Sequence, residues 1–98
     1  MEQVFISQPM KGKPQEMIWA ERDGLVKTLR EKGFNVIDSV SIKAPAEIAN
    51  NPVFFLSRSI RLLAAADIVY FMDGWKEARG CRIEHIIAEE YGIPIMKD

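Results

Sequence analysis

A chain of 98 residues has room for one domain, residues 1–98, and not for two. Thirteen basic against 14 acidic residues leave a net charge of −1, which excludes general attraction to a nucleic acid polymer or a membrane surface. No apolar run approaches the roughly 20 residues a membrane span needs; the lone Cys81 excludes an internal disulfide, and with no secretory pattern at the start we expect a cytoplasmic protein.

Val4-Phe5-Ile6 reads as a short apolar strand. Its loop is Ser7-Gln8-Pro9-Met10-Lys11-Gly12-Lys13-Pro14. A helix follows, about Gln15 to Lys32, with Ile18, Arg22, Leu25, Val26 and Leu29 as its buried stripe and the Arg22 stem at the edge. Gly33 caps it, and Phe34 to Ile37 form a second strand closed by Asp38-Ser39. Ser41 to Pro52 is irregular, with a helical turn expected over Pro45 to Ala49 and a break at Asn50-Asn51-Pro52. Phe54 to Ala65 is the next helix. Its inner face is either Phe55, Ser59, Leu62 and Leu63, or Leu56, Ile60 and Leu63.

The stretch from Ala65 to Pro94 organises the rest. Ile68-Val69-Tyr70-Phe71-Met72 is long enough for a buried strand, and Asp73-Gly74 breaks it. A loop with Trp75, Lys76, Glu77 and Arg79 leads to Gly80. A helix starts there, with Ile83, Ile86, Ile87 and Tyr91 expected inward. Gly92 and Pro94 end it, and Ile93 to Met96 form the last strand. The order β-α-β-α-β-α-β implies a parallel sheet with helices on both faces. Four strands give the spatial order 2-1-3-4, a three-layer, truncated flavodoxin-like sheet. The two most apolar runs, at Val4 and Ile68, should be central neighbours. The order reverses between strands 1 and 3, so ligands are expected where the 7–13 and 73–80 loops meet.

Glu84 lies one turn into the last helix and points back toward the strand ends. A carboxylate there can stabilise, or bond to, a sugar C1' that gains positive charge as an N-glycosidic bond breaks. A second group must protonate the leaving base, and Asp73 is the nearest acidic candidate. Arg79 and Lys11 can neutralise a phosphate, aided by backbone N–H groups of the 10–12 loop and the helix start. Trp75 can stack on a base. Each has a plainer reading. Glu84 can be a dipole-favoured surface residue, Asp73-Gly74 a simple turn, and Lys11 and Lys13 solvated charges. Trp75 can pack on a neighbouring subunit, Cys81 can be a small buried residue, and His85 can face solvent or a subunit boundary. No residue cluster has metal-ligand spacing, and there is no GxGxxG or GxxxxGK[ST]; we expect no metal and no cofactor.

The opening VFISQPMKG, the strand and loop ADIVYFMDGW and the helix start RGCRIEH resemble the nucleoside 2-deoxyribosyltransferase superfamily, which includes 2'-deoxynucleoside 5'-monophosphate N-hydrolases. The likeness covers nearly the whole chain and is strongest to a branch of short proteins encoded by phages and bacteria. It implies that Glu84 is the nucleophile. It also implies that the first loop, Phe5 to Gly12 with Ser7, Pro9, Met10 and Lys11, binds sugar or phosphate. The family's polar residue six before the glutamate falls on Ala78, and its aspartate on the preceding helix falls near Ser59. The expected substrate is a 2'-deoxynucleoside or its 5'-monophosphate. The alternative is a nucleotide-binding module without turnover, which Ala78 and Ser59 favour. A chain this short buries only roughly 60–65% of its unfolded surface, so a homo-oligomer, dimer or higher, is expected. The resemblance implies that a neighbouring subunit completes the site.

Overall fold

The computed structural model describes residues 1–38, 47 and 49–98. Its strands are β1 (Gln3–Ser7), β2 (Asn35–Val36), β3 (Ile68–Phe71) and β4 (Ile95–Lys97). Its helices are α1 (Gln15–Glu31), α2 (Asn51–Leu63) and α3 (Arg79–Glu90), with a 3-10 turn at Trp75–Glu77. All strand pairs are parallel and the order is β2-β1-β3-β4. The two apolar runs expected at the centre are neighbours, with Val4 opposite Ile68 and Ser7 opposite Phe71.

The period-2 alternation of the central strands sorts their side chains to two faces. Val4, Ile6 and Ile68 pack with Leu29 of α1. Phe5, Val69 and Phe71 pack with Leu63 of α2 and Ala88 of α3. Helices thus cover both faces, giving three layers of flavodoxin-like topology. At the end of α1, Gly33 takes φ +91°, and the Phe34 N–H returns to Leu29 O at 3.0 Å. That left-handed step is strained for any residue with a Cβ and turns the chain into β2.

Three expectations need correction. The 50–52 segment starts α2 rather than breaking before it: the Asn50 side chain accepts from the Val53 N–H at 3.1 Å, and Pro52 sits in the first turn, where its missing N–H costs nothing. Neither candidate face of α2 is wholly inward, since Leu63 is buried while Phe55 and Ile60 are each 41% exposed. The buried stripe of α3 is Cys81, Glu84 and Ala88; of the residues expected inward, Ile87 packs partly buried against the core and Ile83 is half-buried, while Ile86 and Tyr91 face outward. Small side chains allow a close approach to the sheet, which leaves Ile86 57% and Tyr91 80% exposed.

Arg22 is not at the edge of α1 but 4% exposed, and its Nη2 donates to Ile37 O at 3.2 Å, just past β2. Burial lowers its pKa, while Asp38 and Asp23 oppose the shift. The helical turn expected over 45–49 lies outside the described residues except at Glu47 and Ala49. Among the described residues no helix is long and apolar enough to cross a membrane.

Candidate functional site

β1 delivers Ser7 to the α2–α3 face of the sheet, and the buried stripe of α3 delivers Glu84 to the same place. The Ser7 hydroxyl donates to Glu84 Oε1 at 2.6 Å, with Ser7 1% and Glu84 7% exposed. Burial raises the Glu84 pKa, and the hydroxyls of Ser7 and Ser59 pull it back in part. A helix dipole was expected to favour the ionised form. Glu84 is the sixth residue of α3, past the turn where that field acts, so desolvation governs instead.

A cavity of about 240 Å³ opens beside this carboxyl. Phe5, Ile6, Gln8, Met10 and Lys11 line it from the β1 side, Ser59 from α2, and Ala78, Arg79, Gly80, Cys81 and Glu84 from the α3 side. The strand-order reversal therefore brings together Phe5, Met10, Lys11, Ser59, Arg79, Gly80 and Glu84. Ser7 lies behind Glu84 as its hydrogen-bond donor. Gly12, at φ +79°, turns the loop so that the Lys13 N–H reaches Met10 O at 3.2 Å. Pro9 packs toward the β3 loop: a Cβ at Gly74 would lie 3.5 Å from its Cγ. Lys13 pairs with Glu21 at 3.2 Å, whereas Lys11 and Arg79 form no ion pair among the described residues.

Asp73 and Trp75 lie elsewhere. They line a separate cavity of about 280 Å³ with Lys76, Glu77, Lys97 and Asp98. The Asp73 N–H donates to Asp98 Oδ2 at 2.7 Å. One face of the Trp75 indole is stacked on His85 at 4.1 Å, and Lys97 Nζ stands 4.8 Å from its ring centre. His85 is thus half-buried against aromatic rings, not turned to solvent. Four residues lining the Glu84 cavity, Ile6, Gln8, Ala78 and Cys81, are not among the site residues expected from the sequence. Gln8 is 6% exposed and its Nε2 donates to Ile18 O of α1 at 2.9 Å; nothing in a lone glutamine after a strand announces that. Cys81 was expected to be merely buried. Burial pushes its thiol up to about 11, with the Ser7 hydroxyl offsetting part of this and the Glu84 carboxylate adding to it.

The arrangement defines an α/β protein of flavodoxin-like topology with a buried carboxyl at its switch point. Within that class the chain belongs to the family described as "Domain of unknown function (DUF4406)", whose profile matches residues 2–97. Among curated proteins no significant match is found. The fold is similar to the crystal structure of a conserved protein from Enterococcus faecalis V583, with a TM-score of 0.71 and 19% identity. The alignment covers 99% of this chain and 62% of that one, so this chain spans under two thirds of that protein's length.

Proposed function

We propose that the protein cleaves or transfers the N-glycosidic bond of 2'-deoxynucleosides or their 5'-monophosphates, with Glu84 as nucleophile. The observation that carries this reading is the Glu84 carboxyl, buried yet lining a cavity at the switch point, with Lys11 and Arg79 beside the same space. A Glu84 oxygen attacks C1' as the C1'–N bond breaks, and the electron pair leaves with the base, which takes a proton. Water or a second base then attacks C1' of the glycosyl ester and restores the carboxylate. Lys11 and Arg79 neutralise the phosphate of a monophosphate substrate. With Asp73 in the other cavity, the proton for the leaving base comes from solvent or a neighbouring subunit.

The protein acts as a homo-oligomer in this proposal, since Phe55, Ile60, Ile86 and Tyr91 leave apolar surface on the outer sides of α2 and α3. Sedimentation showing a monomer at micromolar concentration would count against that. A binding module without turnover is the second reading, favoured by Ser59 and Ala78 lining the cavity where a further acidic or polar group would serve catalysis. Incubation with each deoxynucleoside and deoxynucleoside monophosphate, followed by chromatography of free base, separates them. Base release supports the enzyme; binding without release supports the module.

A further inference from the structure

We infer that Ser7 is a positioning residue: its hydroxyl, at the end of β1, fixes the orientation of the Glu84 carboxyl. This rests on the proposed role of Glu84 and deepens it. The Ser7 oxygen lies 2.6 Å from Glu84 Oε1 in a fully buried contact between residues 77 apart in sequence. Ser7 is 1% exposed and is not among the residues lining the cavity, so a ligand in that space meets Glu84 and not Ser7.

The hydroxyl has one proton. The carboxyl is a stronger acceptor than the Cys81 thiol, which burial pushes up to about 11, and the proton lies in the bond to Glu84. The Glu84 carboxyl is thereby tied to the sheet rather than free to rotate on its own helix. Such fixing matters for a nucleophile, because an oxygen displaced from its line of attack loses rate without losing substrate affinity.

The groups facing Glu84 can be named for each element around it. Ser7 comes from β1 and Ser59 from α2, while Cys81 and Arg79 come from α3. Lys11 comes from the loop after β1, and β3 contributes only apolar Val69 and Phe71 to this face. Both hydroxyls favour the ionised carboxylate, so removing either makes Glu84 harder to ionise.

The test uses Ser7→Ala, Ser7→Thr and Ser59→Ala in the full chain. The Glu84 carboxyl is titrated by NMR with ¹³C-labelled glutamate, using Glu84→Gln to assign the signal. The expected result is a Glu84 titration moved to higher pH in Ser7→Ala, moved the same way in Ser59→Ala, and restored in Ser7→Thr. An unchanged Glu84 titration in folded Ser7→Ala overturns the inference; if Ser7→Ala does not fold, Ser7→Cys, which keeps the size and loses most of the hydrogen bond, takes its place, and an unchanged titration there overturns it equally. In turnover of a deoxynucleotide, kcat should fall about 10- to 100-fold with KM nearly unchanged, and the acid limb should move up in pH. A loss confined to KM would make Ser7 a substrate contact instead. If wild type turns over nothing, the nucleophile reading fails while the titration still decides the role of Ser7.

Discussion

Trp75 and His85 lie face to face, their ring centroids 4.1 Å apart and their planes 11° from parallel. Phe71 of β3 stands 4.8 Å from the same imidazole, and His85 Nδ1 meets Glu89 Oε1 at 2.9 Å. The stack clamps the 3-10 turn to α3. We expect His85→Ala to lower stability by about 1–2 kcal/mol in urea denaturation, the scale of a lost aromatic pair with its packing. Trp75→Leu should do likewise while leaving base release intact, because the indole lines the other cavity. A Trp75→Leu protein of normal stability that cannot bind nucleotide would return the indole to the ligand.

Arg22 makes a comparable link on the opposite face, from α1 to the end of β2. Its hydrogen bond to Ile37 O and its proximity to Asp38 and Asp23 offset the cost of burying the guanidinium. Arg22→Ala removes the stem packing and the bond together, with an expected loss of about 2–3 kcal/mol. Arg22→Met keeps the stem and should lose less. Denaturation midpoints of the two variants check the ordering, and equal losses would show that the stem contributes nothing.

The architecture was legible because it depends on pattern. The apolar runs at Val4 and Ile68 could only be central strands, and helical stretches between parallel strands leave few topologies. The site was legible in part, because the switch point follows from topology. What could not be read was orientation. Periodicity favoured Ile86 and Tyr91 as inward residues of α3, since hydrophobicity alone cannot reveal that a buried glutamate is answered by a serine from a strand 77 residues away. Nor does a loop sequence tell which of two separate cavities Asp73 and Trp75 will line. Asn50-Asn51-Pro52 carries both a turn signal and a helix-start signal, and only the helix behind it decides between them.

Lys11 and Arg79 reach the Glu84 cavity from its two sides, one from the loop after β1 and one from the start of α3. If they hold a phosphate, Lys11→Ala and Arg79→Ala should each weaken binding of a deoxynucleoside 5'-monophosphate about 10- to 100-fold, as loss of a charged hydrogen bond does. Binding of the corresponding deoxynucleoside should change little. Calorimetric titration at low and moderate salt makes the comparison, and the deficit should shrink as salt rises. Equal weakening of both ligands would mean that these side chains shape the cavity rather than meet a phosphate.

Glu84 itself joins stability to turnover. Burial raises its folded pKa above the ordinary value of 4.5, and Ser7 and Ser59 offset only part of that. A carboxyl shifted upward by folding contributes its full stability below the unfolded pKa and loses it as pH rises through the folded value. Glu84→Gln has no proton to lose, and its side-chain oxygen can still accept from Ser7. The variant should therefore be at least as stable as wild type at pH 8, with the difference closing as pH falls toward 4. It should bind nucleotide normally and release base slower by a factor on the order of 10³ or more, as expected when a covalent nucleophile is removed. Melting curves across that pH range, together with chromatographic base release, check both halves. A carboxylate that served only the fold would give the reverse: a variant less stable at pH 8 and no specific catalytic loss. If wild type releases base and Glu84→Gln does so equally fast, the nucleophile is not Glu84.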